Sequence, residues 1–137
     1  MKSVRLFLLV SLLAARVFAL DPNDVVSFDR YDIDPSELFF EEDTRIVPDR
    51  TYVLLRNFRP MSTPSGDRYA MITLENQLSS RQILDPEEFV GIFADGTRRY
   101  PKDFSVRMEP GRTRTIVVKF GTHSFPLVKI IIDNGAN

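Results

Sequence analysis

The strongest constraint on the fold lies in the middle of the chain, where a strand-like run, a polar break and a hairpin signal follow one another. Residues 69–75 place an aliphatic side chain at every second position, which is the pattern of a strand with one buried face. A polar break at residues 76–81 separates this strand from an apolar run at residues 89–94. That run ends at Asp95 and Gly96, and an Asp-Gly pair between strand-like runs predicts a tight hairpin because both residues tolerate positive φ.

Similar runs on both sides of this middle part predict more strands. They lie at residues 25–28, 44–47, 51–59, 97–100, 113–120 and 128–132. Residues 104–108 fit either a short strand or a turn of helix, and Pro110 with Gly111 suits a type II turn. Several short strands separated by turn signals, without sustained helical periodicity, predict an all-β, antiparallel β-sandwich.

The first residues have the pattern of a secretory signal peptide. Lys2 and Arg5 precede an apolar run at residues 6–15, and a Val-Phe-Ala cleavage site follows at residues 17–19. Residues 1–19 are therefore predicted to be a cleaved signal peptide. An uncleaved membrane anchor is the alternative, but a spanning helix needs about 20 apolar residues, so we expect no stable membrane insertion after cleavage.

The chain contains no cysteine, which excludes disulfide bonds and attachment of a lipid at a cysteine. Small secreted domains of eukaryotes often depend on disulfides, so their absence beside an export signal favours a periplasmic or secreted bacterial protein. The mature chain would have about 118 residues, which is enough for one domain that folds without a metal or a disulfide.

Charge divides the mature chain into two parts. Residues 20–50 hold ten acidic and three basic residues, whereas residues 51–137 hold nine acidic and twelve basic residues. We therefore distinguish an acidic N-terminal segment, residues 20–50, from a β-sandwich domain, residues 51–137. The acidic segment either packs on a basic face of the same domain or leaves two oppositely charged surfaces for outside partners. The negative balance of the mature chain argues against nucleic-acid binding.

Motifs for catalysis are missing from the sequence. His123 is the only histidine, no nucleophile elbow of the form G-x-S-x-G occurs, and zinc sites need several histidine or cysteine ligands. We therefore expect a protein that is not an enzyme and that needs no cofactor. A hydrolase that uses paired carboxylates is the alternative, because only the separation of two carboxylates in space decides that chemistry.

A run of carboxylates forms a candidate metal site. Oxygen ligands of the kind that Ca²⁺ prefers are supplied by Asp29, Asp32, Asp34 and Glu37. Their spacing is not that of an EF-hand, because glycine is missing from the sixth position. A solvated acidic segment is the alternative, in which Asp34 caps a single helical turn that begins at Pro35.

Arginines follow the two best-defined turns. Arg98 and Arg99 come after the Asp-Gly turn, and Arg112 and Arg114 come after the Pro-Gly turn. If the two strands lie near each other, these guanidinium groups form a basic patch that can hold carboxylates or phosphates in a bidentate manner. The alternative is a solvated strand face, or pairing of these arginines with the acidic segment.

A loop predicted at residues 59–67 is a further candidate for binding, because it is rich in proline, glycine and small polar residues. Arg59 begins this loop and Tyr69 follows it. A rigid sandwich commonly carries its binding residues on such loops, although nothing in this one identifies a ligand.

The order of turn signals from Arg68 onward resembles that of immunoglobulin-like sandwich domains in many uncharacterised exported bacterial proteins. In both, a strand leads to an Asn-containing break (here at Asn76), an Asp-Gly hairpin and a Pro-Gly turn before the next strand. The resemblance implies an immunoglobulin-like β-sandwich of about seven to eight strands with a non-catalytic role in the envelope. It carries over no functional residues, and the acidic segment and the missing lipid-attachment cysteine depart from it.

Together these observations predict a non-catalytic, exported β-sandwich that binds another envelope protein or serves as an accessory or structural subunit of the bacterial envelope. Recognition would use strand addition at an exposed sheet edge, or the arginine face. The alternative is a ligand-binding module for carbohydrate or an anionic envelope component, which would use residues 59–69.

Overall fold

The computed structural model describes residues 21–31, 34–41 and 45–136, and the predicted signal peptide at residues 1–19 lies outside these ranges. The described part is all-β, as predicted, and pairing between its strands is antiparallel throughout. Its strands are β1 (Ser27–Phe28), β2 (Leu54–Ser62), β3 (Asp67–Glu75), β4 (Gln82–Leu84), β5 (Val90–Phe93), β6 (Arg98–Arg99), β7 (Val106–Met108), β8 (Thr113–Thr122) and β9 (Leu127–Ile131).

Helical structure in the described part is limited to single 3-10 turns. These turns lie at Pro22–Asp24, Pro35–Glu37 and Pro86–Glu88, and each begins with a proline. Proline suits the first position of a helical turn because the N–H that it lacks would have no partner there. None of the helices in the described ranges is long and apolar enough to cross a membrane.

The three longest strands, β2, β3 and β8, belong to one sheet with the order β1-β2-β3-β8, called the main sheet below. A second sheet has the order β6-β5-β9, and β4 pairs with β7. All three groups contribute to one buried apolar core, whose largest members are Phe89, Phe93, Phe120, Ile72, Leu74, Leu84, Met108 and Leu127.

The inner face of the main sheet follows the alternation in the sequence. Ala70, Ile72 and Leu74 of β3 are buried, and so are Val118 and Phe120 of β8. Successive side chains of a strand point to opposite faces, so this burial places the intervening residues on the outer face. The alternation predicted for β3 is confirmed, and β8 buries its side chains with the same alternation.

The two predicted glycine turns are also confirmed. Gly96 has a φ of 84°, and its N–H donates to the Phe93 carbonyl at 2.8 Å, which closes the hairpin between β5 and β6. Gly111 has a φ of 65°, and the Arg112 N–H donates to the Glu109 carbonyl at 3.2 Å. Glycine occupies both turns because positive φ strains residues that carry a side chain.

The interpretation of residues 59–67 as a loop is wrong. β2 continues to Ser62 and β3 begins at Asp67, so only residues 63–66 turn the chain. Pro60 suggested a loop, but it lies within β2 and pairs with Ala70 of β3. Proline is tolerated in an outer strand where the N–H that it lacks would point away from the neighbouring strand.

Two other short segments differ from the prediction. Residues 45 and 46 form a turn and a bend and residue 47 has no regular structure, so the strand expected at residues 44–47 is not seen in this part, and Thr44 lies outside the described residues. β4 was not predicted, because a strand this short shows little alternation in the sequence. The ambiguous residues 104–108 contain β7.

The described part of the acidic segment contacts the sheets mainly through neutral groups. The Tyr31 hydroxyl donates to the Leu127 carbonyl, and burial, together with the charge of Asp29, raises the pKa of this tyrosine. Arg50 forms an ion pair with Asp133 at 3.8 Å, in which the segment supplies the cation. This polarity is opposite to that of an acidic segment docked on a basic face.

Candidate functional site

The arginines singled out by the sequence lie in two separate places. Arg99 donates to the carbonyls of Phe120 and Thr122, at the end of β8, over 3.1 and 3.0 Å. Arg114 lies near the start of β8, about 20 Å away at the rise of an extended strand. The two arginine pairs therefore lie at opposite ends of one strand and do not form the single patch that the sequence suggested.

Arg98 and Arg99 make contacts within the fold. Arg98 donates to the Ile46 carbonyl at 3.3 Å, and the guanidinium carbon of Arg99 lies 5.2 Å from the centroid of the Phe93 ring. Both side chains thus connect the β5–β6 hairpin to neighbouring segments. Arg112, by contrast, is exposed, and its side chain forms no hydrogen bond or ion pair with a described residue.

Arg59 and Tyr69 lie on the outer face of the main sheet. Arg59 pairs with Met71 in the ladder between β2 and β3, which places its side chain on the same face as that of Tyr69. The guanidinium carbon of Arg59 lies 5.3 Å from the ring centroid of Phe28, and Nζ of Lys119 lies 5.6 Å from that of Tyr69. Each aromatic ring therefore already has a cation of the chain against it.

The carboxylates predicted to bind Ca²⁺ do not form a cluster in the described part. Asp34 accepts hydrogen bonds from the Ser36 N–H and hydroxyl at 2.9 and 2.8 Å, and these bonds lower the pKa of Asp34. Asp34 thereby caps the 3-10 turn that begins at Pro35 and ends at Glu37, as predicted. Asp32 lies outside the described residues, and the described ones include no group of three or more side chains that could hold a metal ion.

His123 makes a contact that the sequence did not predict. Its Nε2 lies 3.1 Å from both carboxylate oxygens of Asp95, and its ring centroid lies 4.1 Å from that of Phe93. Burial raises the pKa of Asp95, but hydrogen bonds from Thr97 and His123 outweigh this effect and lower that pKa overall. The histidine therefore joins the segment after β8 to the β5–β6 hairpin.

The outer edge of β8 is open over most of its length. The Lys102 N–H donates to the Lys119 carbonyl at 2.8 Å, so this carbonyl points away from β3. Backbone groups alternate in direction along an antiparallel strand, and the ladder with β3 is regular over this stretch. Thr113, Thr115 and Val117 therefore also direct their N–H and C=O groups away from β3, and no described residue pairs with these groups.

The chain begins to cover this edge and then turns aside. Asp103, directly after the bridge between Lys102 and Lys119, has a φ of 47°, which is the left-handed conformation. The strand that follows, β7, pairs with β4 instead of continuing along β8. A pocket of about 220 Å³ lies where the chain after Lys102 diverges from β8, and it is lined in part by Phe104 and Val117. The edge thus combines open backbone groups with a recess.

The opposite edge of the main sheet, on β2, is closed by local features. The Phe58 N–H donates to the side-chain oxygen of Asn57 at 2.9 Å. Pro60 has no N–H, and its carbonyl accepts a hydrogen bond from the Asp29 N–H at 3.0 Å. The short strand β1 pairs with the end of β2 beyond Pro60. Of these two outer strands, β8 has the longer run of open backbone groups in the described structure.

Cations border the open edge at both ends. Those that form no ion pair with a described residue are Lys102, Arg107, Arg112 and Arg114. Lys119 is joined to Asp67 at 3.6 Å, and the nearby Glu109 is joined to Arg81 at 3.1 Å. The edge is therefore uncharged in its middle and carries unpaired arginines at its start, whereas the two lysines at its far end share one carboxylate, that of Asp67.

Reasoning from the sequence did not identify this edge. The strand was predicted at residues 113–120, but its place at the border of the sheet depends on pairing with strands far away in the chain. One local signal was present: the outer-face residues Thr113, Thr115 and Val117 are all β-branched, a type that favours pairing with a further strand.

Comparisons of the chain with protein-family models, with curated proteins and with solved structures found no match. The geometry of the β8 edge is therefore the basis for assigning a function.

Proposed function

We propose that the protein is a non-catalytic interaction module of the bacterial envelope that binds a partner protein by adding a strand of that partner to the open edge of β8. In this proposal the sheets form an immunoglobulin-like β-sandwich. Residues 1–19 are removed on export, and the mature chain acts in the periplasm or outside the cell as a binding protein or an accessory subunit.

The observation that carries the proposal is the run of open backbone groups on β8. Thr113, Thr115 and Val117 each offer an N–H and a C=O, and an added strand can satisfy such groups with a regular ladder. Long exposed edges are normally protected in natural proteins because they pair readily with other chains. β2 has this protection, whereas β8 lacks it over these residues.

The pocket between residues 102–104 and residues 117–119 also supports recognition by strand addition. Main-chain hydrogen bonds of an added strand supply affinity, and pockets for its alternate side chains supply specificity. The recess lined by Phe104, Val117 and Lys119 lies beside the open groups and can receive one such side chain. The ligand-binding alternative has less support, because the rings of Phe28 and Tyr69 already contact cations of the chain.

The proposal is tested by co-purification with a proline variant. Val117→Pro removes an outward N–H from the edge, whereas the matched variant Val117→Thr keeps it. We expect the tagged wild type and Val117→Thr to retain the same partner from cells of the source organism, and Val117→Pro to lose it while its circular dichroism spectrum stays unchanged. Retention of the partner by Val117→Pro would refute recognition through β8.

A further inference from the structure

We infer that the strand that adds to β8 is acidic at both ends and uncharged in the middle; this inference rests on the proposed function. It specifies the chemistry of the partner rather than the mode of binding. The inference is based on the arrangement of cations around the edge of β8.

The middle of the edge favours an uncharged, β-branched partner sequence. Thr115 and Val117 carry no charge, and Val117 is 57% exposed although it is aliphatic. Side chains that lie opposite each other on neighbouring strands contact directly, and pairs of β-branched residues stabilise a sheet. A valine or threonine on the added strand therefore suits this part of the edge.

The ends of the edge favour carboxylates. Arg112 and Arg114 lie at the start of β8, with Arg107 of β7 beside them, since Arg114 donates to the Arg107 carbonyl at 3.1 Å. Lys102 and Lys119 lie together at the far end, joined by their backbone bridge, and with the single carboxylate of Asp67 beside them this end keeps a net positive charge. Arg114 and Lys119 are about 17 Å apart along an extended strand, so an added strand meets both clusters when its carboxylates are about five residues apart.

The same charges disfavour a second copy of the chain as the occupant. Antiparallel pairing of two β8 edges would place Arg112 and Arg114 of one copy near Lys119 and Lys102 of the other. Like charges on directly opposed strand positions destabilise pairing. We therefore expect the protein to remain monomeric at concentrations where it binds an acidic strand.

The test uses synthetic peptides of about eight residues with blocked ends, a length that matches an ordinary strand. The acidic probe has glutamates at both ends and alternating valine and threonine between them. One control replaces every glutamate with lysine, and a second control has the same composition with the glutamates in the middle. Binding to the ¹⁵N-labelled protein is followed through the amide signals of Thr115 and Val117.

We expect the acidic probe to shift these amide signals and to bind about tenfold more tightly than either control, because each exposed ion pair contributes little alone and several act together here. Arg112→Glu combined with Arg114→Glu should weaken its binding by about tenfold. Added salt should weaken it as well, since the pairs are exposed.

Each other outcome overturns the inference in a recognisable way. Equal binding of the lysine peptide would remove the requirement for acid and leave strand addition intact. Unchanged binding of the acidic probe to Val117→Pro would place its site away from β8. Binding of none of the peptides at millimolar concentration would reject the acidic partner, and co-purification would still decide the proposed function independently. Dimers in sedimentation that Val117→Pro abolishes would identify a second copy as the occupant.

Discussion

The two strands on either side of β3, β2 and β8, are similar in length, at nine and ten residues, but the backbone groups that point away from β3 differ between them. On β2, an asparagine side chain, a proline and the short strand β1 account for several of the outward backbone groups. On β8, Lys102 reaches across once and the next residue turns the chain away. The comparison teaches that a few local features decide whether an edge is open, and that strand length does not.

The two edges also differ in how their cations are used. Beside β2, Arg56 is hydrogen-bonded to Glu75, and Arg59 lies over the ring of Phe28. Beside β8, Arg112 has no such partner among the described residues. The edge on β2 therefore engages its cations within the molecule, whereas the edge on β8 leaves Arg112 without a contact among the described residues.

The largest expected difference in the free energy of unfolding is between proline substitutions at two adjacent valines of β8. Val118→Pro removes an N–H that points toward β3 and should lower the free energy of unfolding by about 3 kcal/mol or more. Val117→Pro removes an N–H that points outward and should lower it by about 1 kcal/mol or less. Urea unfolding measures both values. Equal losses for the two variants would show that the outward direction assigned to Val117 is wrong.

A second prediction concerns the buried asparagine that connects the end of β3 to the end of β7. Asn76 is fully buried, and its Nδ2 donates to the carbonyls of Ser80, Met108 and Glu109 at 2.9, 3.1 and 3.2 Å. Asn76→Ala leaves these buried acceptors without their donor and should lower the free energy of unfolding by about 2–3 kcal/mol. A loss no larger than that of the exposed control Asn57→Ala in urea unfolding would contradict this role.

The same substitution at Asn57 tests how β2 is closed. Asn57→Ala removes the acceptor of the Phe58 N–H at a solvent-accessible site, so the free energy of unfolding should fall by only about 0.5–1 kcal/mol. Hydrogen exchange of the Phe58 amide should become faster, while that of Thr115 stays unchanged. An unchanged exchange rate at Phe58 would show that the side chain does not protect this edge.

The smallest effect is expected for charge reversal beside β8. Arg112→Glu combined with Arg114→Glu should change the free energy of unfolding by about 0.5 kcal/mol or less, because both side chains are exposed and lack ion pairs with the described residues. Thermal or urea unfolding checks this value. A loss as large as that of Asn76→Ala would instead support the alternative that these arginines pair with the acidic segment.

The sequence predicted what depends on local pattern. Alternation of apolar residues indicated the strands β3 and β8, because each buries every second side chain. Glycine indicated the turns at Gly96 and Gly111, because both positions have positive φ. Pro60 led to the incorrect prediction of a loop at residues 59–67, because proline by itself indicates a loop but is tolerated at the edge of a sheet. The candidate site could not be predicted from the sequence, because it depends on which strands pair and on the backbone conformation of Asp103.

The left-handed backbone at Asp103 has a consequence for how the molecule could change. Residues 102–108 are numerous enough to run along residues 119–113 and seal the sheet with a further strand. They do not, because the fold sends Met108 to the interior, where it is fully buried. Pairing of residues 102–108 with β8 would expose Met108 to water, so the burial of this side chain keeps the edge of β8 uncovered.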